Sequence, residues 1–343
     1  MHFHKPLQPF TLMEICGTHT MAIAKAGIRS LLPKDIQLIS GPGCPVCVTP
    51  SSIIDSMLQL LDEQKNLWIC SYGDVLRIPG LYKNTLKGHP RVHMCLSPMD
   101  ALTLAIENPD KKILFLAVGF ETTAPGTAIL IQEAYKRSLS NLFIYSALKR
   151  TKPAIQALLE QPDTQIDGFL CPGHVACILG EQGFQFLVDT YHKPGVICGF
   201  EPEDILYSID RLIMMLNAKK PAIENTYTRV VYPKGNIQAQ ALLKEVFEPE
   251  DSLWRGLGTL TQSGFALQKK YQSLDAKAQF HLPKLTNEEP AGCQCAKVLC
   301  GQIHPKQCPL FKTVCTPQNP IGPCMVSQEG SCAASYLYEQ EDL

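Results

Sequence analysis

Short apolar runs recur along the first two thirds of the chain, each ending at a small cluster of Gly, Pro, Cys, His or Thr. Runs of that length bounded by turn residues predict buried strands. They fall at 11–15, 36–40, 67–70, 91–95 and 112–118. Between them lie segments with apolar positions at helical spacing: 21–28, 52–61, 100–106 and a stretch ending near Tyr135. The plan then repeats, with strands at 142–145 and 168–171 and a helix at 153–159. Alternation of this kind predicts a parallel α/β layer structure.

The strand ends carry the unusual residues. The first strand runs into Cys16-Gly17-Thr18-His19-Thr20, where Thr18 or Thr20 is the expected helix N-cap. A thiol at a helix start with a neighbouring imidazole suits a nucleophile or a soft-metal site. The second strand runs into Gly41-Pro42-Gly43-Cys44-Pro45-Val46-Cys47. A C-x-x-C pair can form a disulfide, share a metal, or simply fill a tight turn. Later strands end at Gly119-Phe120-Glu121-Thr122-Thr123, at Pro172-Gly173-His174 and at Gly199-Phe200-Glu201. Glu121 and Glu201 suit either helix-dipole capping or a carboxylate supplied to a cleft.

Pro42-Gly43-Cys44 and Cys47 match Pro172-Gly173-His174 and Cys177 at one offset of 130. Ile69-Cys70-Ser71-Tyr72 resembles Ile197-Cys198-Gly199-Phe200, and 91–95 resembles 229–233. These matches predict an internal duplication: a first α/β domain over 1–137 and a related one over 138–240.

From about Trp254 the style changes. A helix-like stretch over 265–280 precedes Cys293, Cys295, Cys300, Cys308, Cys315, Cys324 and Cys332, with prolines between them. Without long apolar runs, a segment of this kind needs a staple, and a metal centre is one. Thiolates suit zinc or an iron–sulfur cluster, and the wide gaps between these cysteines tilt towards a cluster. The predicted third domain covers 241–343 and is mainly helix and loop.

Composition narrows the class. Net charge is -1, without the basic excess that nucleic acid or an anionic membrane calls for. No apolar run approaches the ~18 residues of a membrane span, and the first ten residues lack a signal-peptide core. A cytosolic location is expected, where fifteen cysteines are better read as ligands and reactive or core thiols than as a disulfide framework.

CGTHT at 16–20, GPGCPVCVTP at 41–50, GFETTAP at 119–125, PGHV at 172–175, CGFEP at 198–202 and the run 308–332 together resemble the HypD family of hydrogenase maturation proteins. The resemblance spans nearly the whole chain. It implies two similar α/β domains, a smaller domain with a [4Fe–4S] cluster, and a part in building the Fe(CN)2CO unit of [NiFe] hydrogenases. It also implies a small HypC-type chaperone as partner and a HypE-type cyanide donor supplied by HypF, with the chain itself a monomer when alone. Carried over by motif, Cys16 would help hold the iron, with Thr18 and His19 beside it. Cys44 and Cys47 would be the redox-active dithiol. Glu121, His174 and Glu201 would join them in the cleft. The family's C-x14-C-x6-C-x16-C pattern fits Cys293, Cys308, Cys315 and Cys332, with Cys295 and Cys324 as possible substitutes. This chain departs in having only fifteen residues before Cys16, Cys-Gln-Cys-Ala where the family has CxCG, and an extra Cys300. Such a protein is a redox-active assembly factor more than a turnover enzyme. Two rivals are a stand-alone thiol–disulfide oxidoreductase with a zinc-bound tail and a passive interaction scaffold.

Overall fold

The computed structural model describes residues 3–162, 165–286 and 288–339. Eleven strands are described. They are β1 (Phe10–Glu14), β2 (Ile36–Ser40), β3 (Leu67–Tyr72), β4 (Val92–Cys95), β5 (Lys112–Gly119), β6 (Leu142–Leu148), β7 (Gly168–Pro172), β8 (Gly195–Cys198), β9 (Ile223–Asn225), β10 (Phe247–Trp254) and β11 (Gly258–Leu267). Two parallel sheets result, one in the order β2-β1-β7-β8-β9 and one in the order β4-β3-β5-β6. The interior strands explain the apolar runs. Residues 113–119 and all of β6 are buried, as expected of parallel strands covered on both faces.

The α/β class holds, but the strands are not shared out at residue 137. β1 pairs with β7 across more than 150 positions, so the first sheet is built from 10–40 and 168–225. The second sheet, 67–148, is inserted between β2 and β7. Its order repeats the first four places of the other sheet, so the counterpart of β1-β2 is β3-β4 and that of β7 is β5. Pairing by the offset of 130 instead matches β2 with β7, which are neighbours of β1 in one sheet. Short motif matches report similar strand-to-loop corners and carry no information about strand partners. Residues 229–233, compared above with β4, form a turn and irregular chain.

The C-terminal third also differs in detail. The helix-like stretch 265–280 begins as β11 of an antiparallel hairpin, followed by short helical turns at Lys269–Leu274 and Ala276–Gln279. The hairpin closes on the second sheet, where Ser146 Oγ donates to the Phe265 carbonyl at 2.5 Å. Beyond it come short turns and one helix of two turns, Ser331–Tyr338. That helix packs on helix Gly17–Lys25 of the first sheet.

Glu339 clamps this contact. Its carboxylate meets Arg29 at 2.9 Å, His304 at 3.0 Å and Ser335 Oγ at 2.7 Å. Burial works against its charge, but the His304 and Ser335 hydrogen bonds and the Arg29 charge win and hold the carboxyl down at about 2. A folded value below the unfolded one stabilises fully above the unfolded pKa, and the gain is lost as pH falls from about 4.5 through about 2. Glu339→Gln is therefore expected to cost up to about 3 kcal/mol at pH 7 and roughly 1 kcal/mol at pH 3. Urea unfolding of both proteins at the two pH values measures this. An equal cost at both would remove the charge from the account.

Candidate functional site

In parallel α/β sheets, ligands sit where neighbouring connections leave in opposite directions. In the first sheet that point lies between β1 and β7, whose ends carry Cys16 and His174. Cys16 is the N-cap residue of helix Gly17–Lys25, with extended backbone and no capping side chain. Neither threonine caps the helix. Thr18 Oγ1 instead donates to Glu329 at 2.6 Å, and Thr20 Oγ1 donates to Glu14.

Glu14 is the buried anchor of this corner. It is wholly inaccessible, and burial pushes its carboxyl up to about 7 against the hydrogen bonds of Ser40, Thr20 and the Cys16 amide. Those three bonds tie the end of β1, the first helix and the end of β2 to one side chain. Cys16 N–H donates to Glu14 Oε2 at 3.1 Å, leaving the thiol free. A helix start lowers a thiol pKa, but burial dominates here. With the Glu329 and Glu14 carboxylates adding to it, the Cys16 thiol is pushed up to about 12.

The GPGCPVC loop lies directly on this corner. Gly17 N–H donates to the Gly43 carbonyl at 2.9 Å. A Cβ on Gly43 would stand 2.2 Å from the Cys16 amide nitrogen, so only glycine permits the approach. Cys44 and Cys47 are buried and joined as a disulfide, and Cys47 N–H points at Cys44 Sγ at 3.3 Å. The thiol loop and the disulfide loop are thus in backbone contact.

His19 is fully buried. Its Nε2 pairs with the Gly199 carbonyl at 2.9 Å, which fixes the tautomer and leaves Nδ1 without a partner. Burial lowers its pKa to about 4, so the ring is neutral near pH 7. The Phe200 ring lies between the His19 ring, at 4.7 Å, and the exposed His174 ring, at 4.0 Å. His174 therefore joins Cys16 and His19. The two glutamates do not. Glu121 is buried in the second sheet, where Oε1 accepts the Thr151 amide at 2.8 Å and the Thr151 hydroxyl at 3.2 Å. Glu201 is exposed at the N-cap of helix Pro202–Ala218. Glu121 thus serves the first amide of helix Thr151–Leu159, whereas the Glu201 side chain makes no capping hydrogen bond.

Between the sheets opens a cleft of about 860 Å³. Met21, Pro45 and Val46 line one wall, Tyr72, Arg77, Cys95 and Thr123 another, and Ser327 to Glu329 its edge.

The C-terminal cysteines gather round a separate apolar cavity lined by Cys293, Cys295, Cys308, Cys315, Cys324, Cys332, Leu310, Phe311, Gly322 and Met325. Cys295 and Cys324 are joined as a disulfide, so the thiols left free there are Cys293, Cys308, Cys315 and Cys332. Burial, reinforced by the Cys293, Cys315 and Cys308 thiols, pushes the Cys332 thiol far above its ordinary range. The Ile321 amide points at Cys315 Sγ at 3.4 Å, and the Arg255 guanidinium lies 3.8 Å from Cys293 Sγ. Four thiolates there would repel one another in an apolar wall, so the donor set fits a cationic metal centre with N–H groups already aimed at the sulfurs. Among the described residues, no three His, Cys, Asp or Glu side chains are placed to share a single metal ion. The thiols surround a cavity instead.

Arg255, Glu14, Glu329 and Phe200 escape a reading of the sequence. Arg255 is buried, pairs with Glu289, donates to Ser51 Oγ at 3.2 Å and to the Val48 carbonyl from its amide at 2.9 Å. It thereby ties the chain just after Cys47 to Cys293. One apolar core runs from Cys44 and Cys47 through helix Ser52–Glu63 to Cys295, Cys315, Cys324 and Cys332. A large buried charge has no signature in periodicity. The one available hint was Trp254-Arg255-Gly256 beside so cysteine-rich a segment.

Comparison with known proteins identifies the family. The family model "HypD: Hydrogenase formation hypA family" matches residues 2–339. The hydrogenase maturation factor HypD of Escherichia coli K12 is 42% identical over 340 residues, covering 98% of this chain and 91% of that protein. HypD of Cupriavidus necator is 40% identical over 345 residues, 97% and 91% of the two chains, and HypD2 of Bradyrhizobium diazoefficiens is 40% identical over 344, 97% and 90%. A two-sheet α/β protein with these thiol loops falls among the hydrogenase maturation factors. Within them, the chain belongs to the HypD family. Among the described residues no helix is long and apolar enough to cross a membrane.

Proposed function

We propose that this chain is the scaffold on which the iron of a [NiFe] hydrogenase gains its cyanide and carbonyl ligands as Fe(CN)2CO, in concert with a HypC-type chaperone and a HypE-type cyanide donor. The observation that carries the reading is the backbone contact between the Cys16 corner and the Cys44–Cys47 loop, Gly17 N–H to Gly43 O at 2.9 Å. It sets a free thiol against a disulfide within one site.

Cys16 is the iron-holding residue in this reading. A thiol held near 12 stays protonated at neutral pH until a soft cation replaces its proton. Neutral His19 makes a poor proton acceptor, so the cation itself must drive the release. The Cys44–Cys47 pair takes up two electrons and two protons on becoming a dithiol. Cys293, Cys308, Cys315 and Cys332 would hold a [4Fe–4S] cluster, four free thiols lining one apolar site being the donor set such a cluster takes. A bound cluster supplies electrons one at a time. Arg255 and the shared core give the segment after Cys47 a fixed place relative to Cys293. The zinc-tailed oxidoreductase is not favoured, because the family match covers both sheets and the tail alike.

Cys16→Ala is expected to eliminate CO and cyanide stretches from the anaerobically purified chain–chaperone complex and to lower hydrogenase maturation at least ~100-fold. Infrared spectroscopy measures the first. Unchanged stretches in the variant would end the iron-ligand role.

A further inference from the structure

Two cysteines of the second sheet have no role in the function proposed above. Cys70 is on β3 and Cys95 closes β4, the edge strand. The register sets Cys70 opposite His93 and Tyr72 opposite Cys95, so Trp68, Cys70 and Tyr72 share a face with His93 and Cys95. Side chains of β4 lean back by one such step. The His93 ring meets Trp68, with centroids 4.6 Å apart, and the same lean brings Cys95 against Cys70.

Their environments are unequal. Cys70 is sealed, with Leu114 O 3.7 Å from its sulfur. Cys95 is itself only 4% exposed, but it lines the wall of the 860 Å³ cleft that Pro45 and Val46 of the disulfide loop also line. The neighbouring Cys70 thiol holds the Cys95 thiol below its ordinary range, against burial and the Asp100 carboxylate, while Cys70 is driven well above. Tyr72, pushed up to about 12 mainly by burial, stays neutral beside them. An attacking thiol at the cleft backed by a sealed partner is the division of labour that thiol–disulfide exchange requires.

We propose that Cys95 and Cys70 are a second redox-active dithiol of this protein, which exchanges with low-molecular-weight disulfides of the glutathione type entering the cleft. The Cys95 thiolate attacks one sulfur of the small disulfide and forms a mixed disulfide, and the first small thiolate leaves and takes a proton. Cys70 then gives up its proton and attacks Cys95 Sγ, which expels the second small thiol. The protein loses two electrons and two protons, and the small disulfide gains both. Cys95 ends the edge strand and is followed by exposed Leu96, so the approach of the sulfurs moves only a strand tip.

The test titrates the reduced full-length chain with oxidised glutathione under anaerobic conditions and maps thiols by mass spectrometry. A linked Cys70–Cys95 peptide is expected in the parent, with Cys70→Ser stopping at a Cys95–glutathione adduct. With iodoacetamide at pH 7, Cys95 is expected to react at least ~10-fold faster than Cys177, a half-buried thiol without a thiol partner whose pKa burial raises. This ratio is read on the parent and needs no variant to fold. Cys95 left unmodified at glutathione levels that reoxidise Cys44–Cys47 would overturn the proposal. So would an adduct at Cys95 that accumulates equally in the parent and in Cys70→Ser.

Discussion

Gly43→Ala is expected to reduce hydrogenase maturation about 100-fold or more while leaving every thiol in place. The added Cβ would stand 2.2 Å from Cys16 N, 2.4 Å from Ile15 C and 2.5 Å from Cys16 Cα. All three are backbone atoms, so no side chain can swing aside. The loops must part by roughly 1 Å, and a misplacement of that size is worth about 100-fold in a positioned reaction. The Gly17–Gly43 hydrogen bond is lost with it. Stability should fall by about 1–3 kcal/mol, the usual cost of overpacking. Gly126→Ala is the control, because its Cβ would meet only Pro98 at 3.5 Å inside a helix. Maturation assays on extracts with equal amounts of each variant give the comparison. A Gly43→Ala protein that matures hydrogenase at the parental rate would mean the two loops need not touch.

Removing the proposed cluster from the anaerobic protein is expected to release the C-terminal segment and spare the two sheets. Residues 293–339 hold single turns, one short helix and a cavity walled by cysteines. Structural metal sites contribute on the order of 10 kcal/mol to the segments they staple. Amide hydrogen exchange should speed up at least ~100-fold across 293–339 after chelation, and change little in β5 and β6. Cys332→Ser should lose iron in the same way. Cys300→Ser should keep it, since Cys300 Sγ lies against the Gly256 carbonyl at 3.6 Å and outside the cavity. Equal loss of iron from both variants would mean a different ligand set.

These two effects differ in how far the sequence foretold them. Strands β1 to β8 were legible because each is a short apolar run with a turn behind it. Their partners were not, since periodicity says which face is buried and nothing of which strand lies alongside. The hairpin β10–β11 escaped because Phe247–Trp254 is acidic and largely exposed, without a strand's alternation. The thiol motifs were legible as chemistry. Their contact was not, because it depends on two backbones meeting at Gly43. Glu14 read as an ordinary strand residue, and only burial reveals a carboxyl shared by three elements. Glu121 and Glu201 had the right residue type and loop position, but their side chains serve local amide groups or solvent.

The inserted second sheet sets an order of events at the ribosome. β1 and β2 leave first and pair, but the other edge of β1 has no partner until β7 emerges, after residue 168. Meanwhile 67–148 carries all four strands of its own sheet and can close with them alone. The first sheet therefore waits with an unpaired strand edge and an exposed apolar face while its insert folds. Long-range parallel pairing is slow, and open edges invite aggregation. Nascent chains halted between 150 and 170 should be the ones that chaperones hold longest. The Cys16 corner, at the end of the waiting strand, gains its contacts from Gly199 and Glu329 only after that.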